Sequence, residues 1–334
     1  MSASPQLLSG SMRPLLKWAG GKRQLLTALR LHYPPRFDRY VEPFVGGGAV
    51  FFDLYAGGWL EGRAVRLTDV NPDLIGCYRA VRDDAEAVIA ALTALAEEHR
   101  ARGDACYYEV RDRRFNPARA ALGVTLADAY TPALAAMLIY LNRTGYNGLF
   151  RLNRHGKFNV PAGRYANPQI CQADHLRSCA RALGAAGVTI ACRAFAHTLQ
   201  DVGEGDFAYC DPPYAPLSRT ASFAHYTAGG FTVIDHRRLQ ETVIAAVRRG
   251  AIVLLSNSSA AQIEAAYTAP AARLAGLQVH RVPARRAINS RAALRGPVDE
   301  LIITNAPGPQ GRGTSKLRMA KSLGRGAATS RSVR

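Results

Sequence analysis

The sequence specifies an α/β protein built on a largely parallel sheet that is interrupted by an inserted segment, and three observations carry this expectation. First, an apolar run at 39–44 (RYVEPF) stops at Gly46-Gly47-Gly48, and residues 49–55 then show a helical pattern. Second, the run 64–68 (AVRLT) ends at Asp69, and Asn71-Pro72 opens another helix, which completes a βαβ unit of about thirty residues. Third, strand signals lapse for more than a hundred residues and then resume: 188–195 (VTIACRAF), 207–210 (FAYC), 252–255, 277–282 and 298–304, with a helix at 236–249 between the second and third.

The intervening stretch has its own texture. Residues 84–99 are helical in pattern, and 132–141 (PALAAMLIYL) form a short helix apolar on nearly every side. Residues 142–165 (NRTGYNGLFRLNRHGKFNVPAGRY) follow neither period; they are too polar for a core and too aromatic for a linker, as a binding surface would be. The expected organisation is a flexible start at 1–12, a sheet domain from 13–71 and 187–305, an insertion at 72–186, and a disordered tail at 306–334. In that tail the Lys and Arg residues have no acidic counterpart.

Composition narrows the function. The 334 residues carry 43 Lys and Arg against 25 Asp and Glu, a net charge of +18, and 48% are hydrophobic. Such an excess suits a polyanion, nucleic acid ahead of an anionic membrane, although a chain rich in Arg, Ala and Gly can also be basic through genome composition alone. No apolar run reaches the roughly 20 residues of a membrane span and the start does not read as a signal peptide, so a cytoplasmic protein is expected. The six cysteines include no C-x-x-C pair and read as reduced thiols; neither a disulfide nor a metal site is assigned.

Two motifs bear chemistry. The turn Phe44-Val45-Gly46-Gly47-Gly48 follows the first strand, where parallel sheets bind nucleotides; Asp69, ending the next strand, is the acid that holds ribose hydroxyls in such folds. A tight structural turn is the plain alternative. Gly20-Gly21-Lys22 is followed by Arg23, not Ser or Thr, so a phosphate loop for ATP is disfavoured. Asp211-Pro212-Pro213-Tyr214 directly follows the FAYC strand. Its prolines fix the backbone and leave carbonyls free to accept. An exocyclic amine whose lone pair is delocalised into its ring becomes nucleophilic if Asp211 and the Pro212 carbonyl accept its two hydrogens, and Tyr214 offers a face for stacking a base. A proline turn with a capping aspartate is the alternative there.

These motifs do not stand alone. The segments LKWAGGK (16–22), VEPFVGGG (41–48), LNRTGYNGLFR (141–151), FNVP (158–161), GRY (163–165) and DPPYAPLS (211–218) are collinear, and with them the chain closely resembles the DNA adenine methyltransferase (Dam) family, in the group whose recognition domain precedes the catalytic tetrapeptide. The resemblance implies a Rossmann-like seven-stranded sheet that binds S-adenosylmethionine, with an inserted, mainly helical DNA-recognition domain. It implies cofactor contacts from Trp18, Lys22, Asp69 and Asp211, with Glu42, Phe44, Gly46, Gly48 and Phe195 around them, Phe195 packing on the adenine ring. It further implies that Asp211, Pro212, Pro213 and Tyr214 are catalytic, and that Lys17, Tyr146, Asn147, Leu149, Arg151, Pro161, Arg164 and Tyr165 face double-stranded DNA. The target would be adenine N6 in GATC, and the enzyme a monomer without an obligate protein partner or a metal.

The carboxy-terminal stretch 284–299 departs from that pattern, carrying RAALRGP where relatives often have a more glycine-rich turn, and the basic tail lies outside it. The tail is expected to add nonspecific phosphate affinity, and the region around His225, Tyr226 and Phe231 to form a lid over the target base, with a routine surface loop as the plain alternative. Cytosine N4 or RNA adenine methylation would use the same amine-holding chemistry, and a DNA-binding regulator that has lost turnover is the rival from another class.

Overall fold

The computed structural model describes residues 12–18, 20–215, 231–285 and 297–307. Within them one mixed sheet of seven strands runs in the order β3-β2-β1-β4-β5-β7-β6. The strands are β1 (Arg39–Glu42), β2 (Ala64–Asp69), β3 (Val188–Cys192), β4 (Asp206–Cys210), β5 (Ile252–Ser258), β6 (Gln278–Arg285) and β7 (Pro297–Thr304). β1 to β5 pair in parallel, and β7 inserts antiparallel between β5 and β6. The chain leaves β1 toward β2 on one side while β4 lies on the other, so the order reverses between β1 and β4. A crevice opens beyond the carboxyl ends of strands at such a reversal.

Side-chain alternation builds a core on each face. Tyr40, Phe207, Leu254 and Ile302 enter one cluster, while their neighbours Val41, Ala208, Leu255 and Ile303 enter the other. The first cluster continues without interruption into the inserted stretch through Leu92, Tyr107, Phe115, Ile139 and Tyr140. Helix Pro72–Asp83, the first element of that stretch, packs on β2 and β3 as well as on helices Pro132–Thr144 and Ala173–Leu183. Sheet and insertion therefore share one hydrophobic interior, and each supports the other.

The helix starts follow from local chemistry. Asn71 caps Pro72–Asp83 by accepting from the Asp73 and Leu74 amides, Asp84 caps Ala85–Arg102, and Thr131 caps Pro132–Thr144. One element differs from the sequence reading. The strand expected at 188–195 ends at Cys192, and Phe195 opens a helical turn, Phe195–Thr198, whose threonine hydroxyl bonds Thr68. Helices Asp104–Glu109 and Asn116–Leu122, joined through a π-helical turn at Val110–Phe115, were not expected either, because the charged run RDRRF masks their period. No described helix is long and apolar enough to cross a membrane. His225, Tyr226, the tip of the β6–β7 hairpin and the tail beyond Pro307 lie outside the described residues.

Candidate active site and recognition surface

Three acids stand at the carboxyl ends of neighbouring strands: Glu42 ends β1, Asp69 ends β2 and Asp211 follows β4. Asp69 is engaged by backbone on both oxygens. Gly46 N–H donates to Oδ2 at 3.1 Å and Asn71 N–H to Oδ1 at 2.9 Å, so the carboxylate locks the glycine turn onto β2. Gly46 adopts a left-handed φ of 46°, and a Cβ there would lie 3.0 Å from Trp18 Cδ1. Only glycine lets the turn lie against the indole. Trp18 in turn stacks on Phe150 with centroids 5.7 Å apart, which joins the turn to the recognition stretch. Phe44 stacks on Phe195 at 5.3 Å, and Phe231 closes an aromatic cluster over both.

Around Asp211 the groups converge from distant parts of the chain. Lys22, only 4% exposed, places Nζ 2.9 Å from Asp211 Oδ1 and 4.4 Å from the centroid of the Tyr214 ring, and also donates to the Gly20 carbonyl. Ser256 Oγ donates to the same Oδ1 at 3.0 Å and is itself paired with the Tyr209 hydroxyl at 2.9 Å. Both contacts fall on Oδ1; among the described residues none falls on Oδ2. Burial pushes the Asp211 carboxyl above its ordinary range, with Lys22 and Ser256 pulling it back. Glu42, 1% exposed, accepts from Tyr40 at 2.8 Å; burial holds its pKa well above the carboxylate range despite that bond, and nearby Asp211 adds to the rise. Pro212 is buried and Pro213 exposed.

The residues expected to face DNA form a second surface. Lys17, Tyr146, Asn147, Arg151, Pro161, Arg164 and Tyr165 are all exposed, and Leu149 is half-buried against the core. Lys17 Nζ lies 4.8 Å from the Tyr165 ring centroid. Asn142 bonds both the amide and the carbonyl of Lys17 and also the Gly148 carbonyl, so the amino-terminal segment and the recognition loop are tied through one buried side chain. Asn147 and Gly148 are consecutive left-handed residues, with φ of 54° and 65°, and this turn leaves Tyr146 and Asn147 projecting. Asn159 Oδ1 accepts from Arg151 Nε at 2.8 Å, which aims the guanidinium.

A Cβ on Gly148 would fall 2.6 Å from Lys17 Cβ. Gly148→Ala is therefore expected to displace Lys17 and to weaken DNA binding by roughly tenfold, the scale of an imposed left-handed strain plus one lost contact. Anisotropy titration with a labelled duplex reads this, and unchanged affinity contradicts it.

Lys22, expected beside the cofactor together with Asp211, has its ammonium on Asp211 and over the Tyr214 ring. Sequence reasoning missed Ser256, Tyr209 and Glu300, the last accepting from the Tyr214 hydroxyl at 2.6 Å. The available signal was polar residues closing an apolar strand (Ser256-Asn257-Ser258) and an acidic pair before LIIT in a basic chain. A cleft of about 520 Å³ beside Arg79, Asp128 and Thr189 contains none of the site residues.

A mostly parallel sheet with its last strand reversed, and an Asp-Pro-Pro-Tyr motif at the carboxyl end of β4, define an enzyme class: methyltransferases acting on an exocyclic amine. The model of the D12 class N6 adenine-specific DNA methyltransferases matches residues 18–288, and the chain belongs to that family. It is 36% identical over 304 residues to the Type II methyltransferase M.MjaIII of Methanocaldococcus jannaschii, covering 88% of this chain and 99% of that one. It is 34% identical over 300 residues to the Type II methyltransferase M1.LlaDCHI of Lactococcus lactis subsp. cremoris, covering 88% and 96%. To the DNA adenine methylase of Escherichia coli K12 it is 34% identical over 296 residues, covering 89% and 96%. Among solved structures, an rRNA methyltransferase of Streptomyces viridochromogenes aligns over 87% of this chain and 90% of its own at 15% identity, with a TM-score of 0.31, too loose to bear on the fold. The protein is an adenine-specific DNA methyltransferase and acts on DNA.

Proposed function

We propose that the enzyme moves a methyl group from S-adenosylmethionine to N6 of an adenine turned out of duplex DNA within GATC, working as a monomer without an obligate protein partner. The observation that carries the reading is Asp211, held on Oδ1 by Lys22 and Ser256 with Oδ2 unshared among the described residues. Oδ2 accepts one amino hydrogen of adenine and the Pro212 carbonyl the other, which draws the nitrogen toward tetrahedral geometry and frees its lone pair. Tyr214 stacks the base, which must leave the duplex because its amine is otherwise paired. The residues present fit the cofactor. The Gly46 turn leaves no Cβ between backbone and ligand, Asp69 suits ribose hydroxyls, and Phe44, Phe195 and Phe231 offer an aromatic wall for an adenine ring. When bound, the cofactor supplies an activated methyl group on a sulfonium.

On the DNA side, Arg151 reads guanine O6 and N7, while Tyr146 and Asn147 fill the gap left by the extruded base. Lys17 reaches a base from the amino-terminal segment; Leu149, Pro161, Arg164 and Tyr165 complete the contact face. The division into a catalytic part, 13–71 with 187–305, and a recognition part, 72–186, is likewise proposed as a division of labour, since the two share a core.

Incubation of the protein with S-adenosylmethionine and plasmid, followed by nucleoside mass analysis and long-read mapping, tests the reading. N6-methyladenine confined to GATC supports it in full; another motif revises the recognition loop, and N4-methylcytosine or an unmodified plasmid overturns it.

The acid limb of the reaction has a defined sign. Asp211 must be ionised to accept a hydrogen, and burial raises its pKa, so activity falls as pH falls through a value above that of an exposed aspartate. Lys22→Met removes a group that lowers this pKa, so the acid limb should move to higher pH. Single-turnover rates against pH at saturating cofactor check this, and a limb that stays or moves down contradicts it.

A further inference from the structure

The catalytic tetrapeptide is stitched to the strand beside it by three consecutive β5 residues. Ser256 bonds Asp211, Asn257 Oδ1 accepts from the Ala215 amide at 3.4 Å, and Ser258 Oγ donates to the Ala215 carbonyl at 2.7 Å. Of these, only Ser256 also reaches the Tyr214 hydroxyl. The Tyr214 ring is also reached from one strand further out: Glu300, opposite Ser258 in the β5–β7 register, accepts the Tyr214 hydroxyl at 2.6 Å. A tyrosine ring turns about two side-chain torsions, and an anchored hydroxyl removes that freedom.

We propose that Glu300 is a positioning residue: from the antiparallel strand β7 it fixes the phenol of Tyr214 and so sets the aromatic face on which the target base stacks. This rests on the reading that the adenine is turned out of the duplex into the site. Glu300 holds the Tyr214 hydroxyl and acts through it, and its charge also raises the Asp211 pKa. The bond is of the charge-assisted kind, with a carboxylate accepting from a hydroxyl, and stronger than a neutral one. It also runs from the strand that leads out of the β6–β7 hairpin to the wall of the base pocket.

The test is a double-mutant cycle in the full chain, using Glu300→Ala, Glu300→Gln, Tyr214→Phe and the combinations, with kcat and KM for DNA measured separately. A second readout is emission from 2-aminopurine placed at the target adenine. Glu300→Ala is expected to lower kcat by roughly tenfold with little change in KM, the worth of one such bond. Glu300→Gln, which keeps an acceptor, should restore most of it. In the Tyr214→Phe background neither substitution should have a further effect. The extruded 2-aminopurine should be quenched by the fixed ring and brighter on Glu300→Ala. A loss of kcat that persists in the Tyr214→Phe background, or unchanged emission on Glu300→Ala, overturns the role of Glu300. If Glu300→Ala does not fold, the Glu300→Gln cycle carries the same decision: additivity with Tyr214→Phe overturns the role. Emission that stays at the level of the free duplex for both the unsubstituted enzyme and Glu300→Ala would instead overturn base extrusion.

Discussion

Asp211→Ala is expected to slow methyl transfer by about a thousandfold or more while leaving DNA affinity largely intact, because it removes the group proposed to accept the amino hydrogen as charge develops on the nitrogen. The exposed recognition side chains do not depend on Asp211, so affinity measured by anisotropy should stay close to that of the unsubstituted enzyme. Stability should change as well. Lys22 is 4% exposed and its ammonium lies 2.9 Å from the carboxylate, so the alanine variant leaves a buried cation without its partner. The melting temperature should fall, and adding Lys22→Met should recover it without recovering turnover. Separation of those two readouts distinguishes a chemical role from a scaffolding one. Residual single-turnover rates within about tenfold of the unsubstituted enzyme are incompatible with the assigned role, since a peripheral hydrogen bond alone accounts for such a loss.

Arg119→Ala is the second large effect, and it falls on stability. Arg119 forms a bidentate pair with Asp73, Nε to Oδ1 at 2.5 Å and Nη2 to Oδ2 at 2.7 Å, with the two side chains 9% and 1% exposed. Its remaining nitrogen, Nη1, donates to the Gly156 carbonyl at 2.8 Å. One guanidinium thus joins the first turn of helix Pro72–Asp83, which packs on the sheet, to the tip of the recognition loop. Truncation leaves a buried carboxylate whose only other side-chain contact among the described residues is the Tyr130 hydroxyl at 3.4 Å. The expected loss is about 3–5 kcal/mol, measured by urea unfolding. Replacing both partners, Arg119→Met with Asp73→Leu, should recover most of the stability, because no uncompensated charge is left. DNA affinity should not recover with it, since the Gly156 tether is absent in both variants. A loss below about 1 kcal/mol would place this pair with solvent-screened surface bridges and contradict its burial.

Much of the fold was legible because local pattern encodes backbone. The run RYVEPF before three glycines marked β1, AVRLT before an aspartate marked β2, and FAYC before two prolines marked β4, each within two residues of its observed bounds. Asn71-Pro72 announced a helix start through capping chemistry. Elements whose apolar period is broken by charge were lost. Helix Asn116–Leu122 buries an arginine, so its inward face does not look apolar in sequence. Phe195 was read as the end of a strand because aromatic and β-branched residues favour strands. Its backbone instead turns helical beside β2, where it meets Phe44 and Phe231.

The chemistry proposed for the site rests on contiguous residues. Asp211 to Tyr214, the glycine turn with Asp69, and the surface loop around Tyr146 to Arg151 each occupy a few consecutive positions or one βαβ unit, and their types and spacing determine what they can bind. Tertiary structure alone decided which groups hold them. Ser256 reaches Asp211 across 45 residues of chain, Glu300 reaches Tyr214 across 86, and Lys17 meets Asn142 across 125. The partner in each pairing leaves no local trace: serines closing a strand or a glutamate beside an aspartate mark a polar spot in sequence but not what it will hold. The Asp211 and Tyr214 pairings appear only when the sheet sets β4, β5 and β7 side by side and the low dielectric there makes each partner matter.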